Sequence, residues 1–148
     1  MDNNSFLPAL AEKINHKHEA LVEIVEDALD ATVQVDSAHI VKLMTELKEQ
    51  HGYNMLFNVT AVDYPEHFAA VYTVVASTGN RPLTVKAMLA KDRPEIDSLC
   101  GVFKAANVQE RETYDLMGIR YLNHPNLTRV LLPDDFTGHP LRKDYAAT

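Results

Sequence analysis

A chain of 148 residues, 46% hydrophobic and 24% charged, has the size and composition of a single globular domain. Its formal net charge of −7, with the acidic residues spread along the chain, excludes a broad basic surface, so no nucleic-acid partner is expected. Cys100 is the sole cysteine; it allows neither an internal disulfide nor a four-cysteine iron–sulfur cluster.

The first residues lack the basic start and apolar core of a signal peptide. The longest apolar stretch, Phe68 to Ala76 with Thr73 inside it, is far below the ~20 residues a membrane helix needs. Contact with a membrane is expected only through a partner.

In chain order, Leu7, Leu10 and Ile14 form a helical stripe that Ser5 can cap. Leu21 to Leu29 also fits helical spacing and predicts a helix breaking near Asp30, followed by a short strand from Thr32 to Val35. Ser37 opens a clearer helix, with Ile40, Leu43, Met44 and Leu47 on one face and Gly52 as terminator. Three alternating runs follow: Met55 to Ala61, Ala70 to Ala76 and Leu83 to Leu89. The links Tyr64-Pro65-Glu66-His67 and Ser77-Thr78-Gly79-Asn80 have hairpin length, which predicts an antiparallel meander. One apolar face per strand requires a cover, and the flanking helices supply it. The expected fold is a two-layer α+β domain, an antiparallel sheet covered by helices.

Beyond the meander, Ile96, Leu99, Cys100 and Phe103 stand at helical spacing, which predicts a helical turn from Glu95 to Phe103 with Cys100 as a small buried residue. Asn107 and Glu110 stand at capping-box spacing and open another helix, which Gly118 ends. The segment after that carries Pro125, Pro133 and Pro140, many charges and no sustained period. Residues 1–120 are thus expected to form the domain and residues 121–148 either a disordered tail or an extended strap on a surface, with truncation before Gly138 expected to leave the domain folded.

Few chemical motifs are present. The glycines at 52, 79, 101, 118 and 138 are too scattered for a phosphate loop, and no serine lies in a nucleophile elbow. His16 and His18 diverge on a helix, while His39, His51 and His67 read as surface residues. His124, Asp134, Asp135, His139 and Asp144 have the ligand types of a metal or acid–base site. No two share a helix face, however, and each histidine precedes a proline that favours an extended bend. In the run from Glu110 to Asp115 the charges surround the helix, and Arg111 and Asp115, one turn apart, can pair. The run reads either as a solvent-exposed face or as a charged face that anchors the C-terminal segment or a partner through Arg129, Arg142 and Lys143.

Glu110-Arg111-Glu112-Thr113-Tyr114-Asp115-Leu116-Met117-Gly118-Ile119 resembles the signature of the thirty-kilodalton-type subunit family of complex I. His124-Pro125-Asn126-Leu127-Thr128-Arg129-Val130-Leu131 and Gly138-His139-Pro140-Leu141-Arg142-Lys143-Asp144-Tyr145 resemble its next two blocks, in order and spacing. Thr60-Ala61-Val62-Asp63-Tyr64 matches a weaker one. The resemblance spans roughly residues 54–145.

It implies a non-catalytic subunit without catalytic, cofactor-binding or metal-binding residues, holding no cofactor. The protein would sit at the cytoplasmic face of the cell membrane, beside a hydrogenase-large-subunit-like quinone-module subunit and iron–sulfur subunits. The signature side chains, from Glu110, Arg111, Glu112, Tyr114, Asp115 and Gly118 through His124, Pro125 and Arg129 to Gly138, His139, Pro140, Leu141, Arg142, Lys143 and Asp144, become candidates for docking it there. An extended strap over neighbouring chains follows, so Arg142 is expected to serve assembly and leave melting nearly unchanged. Val108 stands where the family has an aromatic residue, Met117 where phenylalanine is common, and Ala146 where proline follows. These departures keep two readings open: a subunit of an NADH:quinone oxidoreductase, or its equivalent in an energy-converting, ferredoxin-linked membrane-bound hydrogenase. A free-standing metal-dependent enzyme working through His124 and Asp144 is the third.

Overall fold

The structure, a computed structural model, describes residues 6–77 and 82–145. Ser5, Ala146 and most of the Ser77–Asn80 link lie outside these residues. Helix α1 (Leu7–His18) buries Leu7, Leu10, Ala11 and Ile14, the i, i+3, i+4, i+7 stripe of a helix lying on a core. Strands β1 (Val22–Ile24) and β2 (Thr32–Val35) follow. A 3₁₀ turn over Ser37–His39 then leads into α2 (Ile40–His51). The cap is Asp36 rather than Ser37: its carboxylate accepts the Ala38 N–H at 2.9 Å. Gly52 ends α2 at φ 77°, a left-handed conformation that glycine adopts without steric cost.

The predicted meander is present as β3 (Met55–Asp63), β4 (His67–Val75) and β5 (Leu83–Ala90). The full sheet has five strands in the order β1-β2-β5-β4-β3. All neighbours are antiparallel except β2 and β5, which pair in parallel with Val33 opposite Val85. Leu21–Leu29 is therefore not a helix. Val22 pairs with Val35 and Ile24 with Val33, and the Val25 N–H donates to Thr32 O at 2.9 Å. Leu29, which the helical reading would bury, is fully exposed. Here the hydrogen-bonding demand of the β2 edge outweighs a short apolar period.

A second correction concerns Glu95–Phe103. Glu95–Asp97 is strand β6, paired in parallel with β7 (Arg120–Leu122), and tight turns follow it. The final helix is α3 (Ala106–Met117). The boundary drawn between residues 120 and 121 falls inside β7.

Val59, Phe68, Ala70, Tyr72, Leu83, Val85 and Leu89 line one buried face of the sheet and join the apolar faces of the helices in a single core. The free edge of β3 is occupied at its centre by α3. Gln109 Oε1 accepts the Val59 N–H at 2.8 Å, and the Thr113 hydroxyl donates to Val59 O at 3.3 Å. A bulge between Leu56 and Asn58 throws Phe57 outward. Both features blunt an edge open to intermolecular pairing.

Helices α1 and α2 are latched by one carboxylate. Glu46 Oε1 meets His18 Nε2 at 2.9 Å and Lys17 Nζ at 3.0 Å, while Oε2 meets His51 Nε2 at 3.0 Å. Burial pulls its pKa upward, but His18, Lys17 and His51 together outweigh burial and hold it at about 2, against an ordinary value of 4.5. A depressed carboxylate stabilises the fold above its unfolded pKa and loses that contribution as pH falls through the folded one. Glu46→Gln is expected to cost about 2 kcal/mol at neutral pH. The deficit should shrink as pH falls from 4.5 toward about 2; denaturant melts of both proteins across that range would check it.

Candidate functional site at the end of the last helix

An α-helix leaves its last four carbonyls without intrahelical donors. In α3 these belong to Tyr114, Asp115, Leu116 and Met117, and the segment that follows supplies every one. Gly118 N–H donates to Tyr114 O at 2.8 Å, and Leu141 N–H to Leu116 O at 2.9 Å. Arg129 Nη1 and His139 Nδ1 both reach Asp115 O at 3.0 Å. Arg142 Nε donates to Met117 O at 2.6 Å. Cations here also oppose the negative end of the helix dipole. Gly118 has φ +74°, and a Cβ there would stand 2.5 Å from Arg142 Nη2 and 2.7 Å from His139 Cδ2. Only glycine allows both the turn and the approach.

The Asp115 side chain is fully buried beside these carbonyls. Oδ1 accepts from Arg129 Nη1 at 2.6 Å, and Oδ2 accepts the N–H groups of Val130, Leu131 and Leu132 at 3.1, 2.7 and 2.9 Å. Burial pushes its pKa up; Arg129 and the three N–H groups more than reverse this and hold it below the ordinary value. Arg129 continues to Gly138 O at 2.9 Å and lies over the Phe136 ring.

The pair expected between Arg111 and Asp115 is not formed. Arg111 instead donates to Thr128 O and Oγ1 at 3.2 and 3.1 Å, while Asp115 is taken by Arg129. Nor does this helix present an exposed charged face, since Glu110 and Asp115 are both fully buried. Glu110 forms no capping box with Asn107. Ala105 occupies the N-cap position, and the Glu110 carboxylate points to Leu99 N–H at 2.8 Å and Ser98 Oγ at 2.6 Å.

At the far end of the segment, Asp63 of β3 accepts the Lys143 N–H at 2.8 Å and pairs with Lys91. Its hydrogen bond with Lys91 outweighs burial and sets its pKa low. Arg142 packs its guanidinium over Phe68, and Tyr114 faces the His139 ring at 6.0 Å. The Tyr145 ring stacks on Phe136 and limits any side chain at Gly138, where φ is +96°.

The five metal-type residues singled out in the sequence do not converge. His124 Nε2 donates to Asn107 O and its Nδ1 accepts from Asn126 N–H, while His139 serves the α3 terminus. What remains outward among the signature residues is Glu112, with no hydrogen bond or ion pair among the described residues, together with the exposed Pro125, Leu141, Lys143 and Asp144. Glu112 and Leu141 border an open cleft of about 220 Å³ with Asn58 and Thr60 of β3; Pro140 and Leu141 lie within the turn closed by the Arg142 N–H on His139 O at 3.1 Å.

The expectation that Arg142 contributes only between chains is overturned, because its hydrogen bonds close the protein's own helix. Arg142→Ala should lower stability by about 1–2 kcal/mol, read as a lower melting temperature of the isolated protein. Arg129→Ala should cost about 3 kcal/mol or more, since it strands the buried Asp115 charge. With a depressed pKa, Asp115 stabilises the native state above the ordinary aspartate range and less as pH falls through it. The Arg129→Ala deficit should therefore be largest at neutral pH in parallel melts at neutral and acidic pH.

Residues 33–148 match the family model described as respiratory-chain NADH dehydrogenase, 30 Kd subunit. An NADH-quinone oxidoreductase subunit from Moorella thermoacetica is 46% identical over 126 residues, covering 84% of this chain and 85% of the relative. The subunit of the same name from Geotalea uraniireducens is 42% identical over 147 residues, covering 97% and 88%. A solved trypsin-resistant fragment of Nqo5 is 26% identical and superposes with a TM-score of 0.69, over 82% of this chain and 98% of that one. A component of the membrane-bound sulfane sulfur reductase, an archaeal respiratory membrane complex, shares the fold at a TM-score of 0.80 and 20% identity, over 94% and 85%. Among the described residues no helix is long and apolar enough to cross a membrane. The chain belongs to the 30 Kd subunit family of the respiratory-chain NADH dehydrogenase, and is a peripheral-arm subunit of an oxidoreductase complex.

Proposed function

We propose that the protein is a non-catalytic subunit of an NADH:quinone oxidoreductase at the cytoplasmic face of the cell membrane. There it docks the hydrogenase-large-subunit-like subunit of the quinone module and neighbouring iron–sulfur subunits. The carrying observation is how the signature residues are used. Glu110, Arg111, Asp115, His124, Arg129, His139 and Arg142 all have partners in this chain. None is arranged as a nucleophile with a base or as a phosphate cradle. They make a rigid platform, and that platform holds Glu112, Leu141, Lys143 and Asp144 toward the outside.

Leu141 is 60% exposed on a backbone pinned by its own N–H. An apolar side chain fixed in place and ringed by charge suits the centre of an interface with a polar rim. The NADH-quinone oxidoreductase names of the relatives at 46% and 42% identity favour this complex over a hydrogenase.

Co-purification from native membranes, with identification of the companions, tests this reading. The double variant Glu112→Lys, Leu141→Asp is expected to lower recovery of the companions at least tenfold, or about 1.4 kcal/mol, with the melting temperature of the isolated protein nearly unchanged. Unchanged recovery would remove this face as the docking site. A companion large subunit with nickel-binding cysteine pairs would instead assign the complex to the hydrogenases.

A further inference from the structure

Cys100, Glu110 and His124 come together beyond the end of the β6–β7 pair. These strands run parallel, with Glu95 opposite Arg120 and Asp97 opposite Leu122, so their C-terminal ends lie side by side. One exit leads through Ser98 and Leu99 to Cys100. The other turns at Asn123, whose φ is +67°, into His124. Ser98 N–H donates to Leu122 O at 2.8 Å and ties the two exits together. Glu110 lies against them from α3, its carboxylate held by Leu99 N–H and Ser98 Oγ. One ligand atom from each of Cys100, Glu110 and His124 lies within 4.8 Å of the other two, the one such trio of metal-ligand types among the described residues.

We propose that Cys100, Glu110 and His124 bind a divalent ion of the zinc class. Sulfur, nitrogen and carboxylate oxygen together form a borderline-soft donor set, which zinc accepts and magnesium or calcium does not. Three protein ligands leave a fourth tetrahedral position for water. The lack of a counter-ion points the same way. Glu110 is fully buried, yet it makes no ion pair with a lysine or arginine among the described residues. Buried carboxylates are ordinarily paired or bound to a metal.

Support around the donors is already built. Ser98 and Leu99 orient the carboxylate, and Cys100 N–H donates to Ser98 Oγ at 3.1 Å, which fixes the turn bearing the thiol. The His124 ring is held through both nitrogens; the Nδ1 lone pair, which accepts the Asn126 N–H, is the one that can pass to the metal, while Nε2–H keeps its bond to Asn107 O. Cys100 and His124 are half-buried and reachable from solvent, with Glu110 closing the inner side. On binding, the thiol proton leaves to solvent and the sulfur lone pair forms the metal bond. Thiolate and carboxylate then balance the two positive charges, and no electron is transferred. This departs from the expectation of a metal-free protein drawn from the sequence, and it is independent of the docking role.

Cobalt(II) titration of the full-length, metal-stripped protein under reducing conditions tests the site. One equivalent is expected to bind with a near-ultraviolet sulfur-to-cobalt charge-transfer band and the visible bands of a tetrahedral ion, and zinc should displace it. Cys100→Ser should abolish the charge-transfer band and weaken zinc binding by about tenfold or more. The variant is expected to stay folded, since the thiol makes one long contact, 3.6 Å to Glu110; circular dichroism verifies this. His124→Asn provides a second loss-of-ligand variant. Saturating zinc should raise the melting temperature of the native protein and not of the variants. Absence of the charge-transfer band, or bands and zinc affinity that persist in Cys100→Ser, would overturn the assignment.

Discussion

The C-terminal end of α3 cannot close itself. Its terminal carbonyls have no donors within the helix and the Asp115 carboxylate beside them is fully buried, and an unpaired buried charge is among the costliest features a fold can carry. Residues 129–142 exist in their observed path because they meet this demand. Arg129 neutralises Asp115, three successive N–H groups encircle its other oxygen, and His139, Leu141 and Arg142 take the carbonyls. A segment without hydrophobic periodicity is thus ordered by polar contacts together with ring contacts at Phe68, Phe136 and Tyr145, and Lys143 fastens its far end to Asp63.

Much of the domain is legible in the sequence. The meander and α2 are readable because their elements are long, with strands of nine, nine and eight residues and a helix of twelve. The two regions where helical spacing misleads, around Val22–Ile24 and Glu95–Asp97, contain strands of three residues each. A run that short fits a helical stripe as well as an alternation, and only the partner strand settles it. That partner is long-range for β6, which waits for Arg120–Leu122. The parallel insertion of β2 beside β5 likewise depends on a strand far away in the sequence.

For the site, the motif blocks contain the residues that meet at the end of α3, while local spacing misjudges their partners. Arg111 and Asp115 stand one turn apart, yet each finds a better partner in the following segment: Thr128 for one, Arg129 for the other. Capping-box spacing would turn Glu110 back toward Asn107, but the Leu99 N–H and Ser98 hydroxyl offer it two donors at once. Surface-helix rules assume a solvated face, and this face is covered. The convergence of Cys100, Glu110 and His124 has no signature in the sequence, since three separate segments supply it.

The arrangement around α3 also constrains how the protein is made. The helix leaves the ribosome before the residues that complete it, and synthesis advances at about 5–20 residues per second. For seconds, then, the nascent polypeptide holds a helix with bare carbonyls and an unneutralised Asp115, while the meander can already collapse on α1 and α2. Native closure around Asp115 must wait until Arg129 to Arg142 have emerged from the exit tunnel. A pause or premature stop in that stretch would deliver a well-formed sheet with an unfinished end.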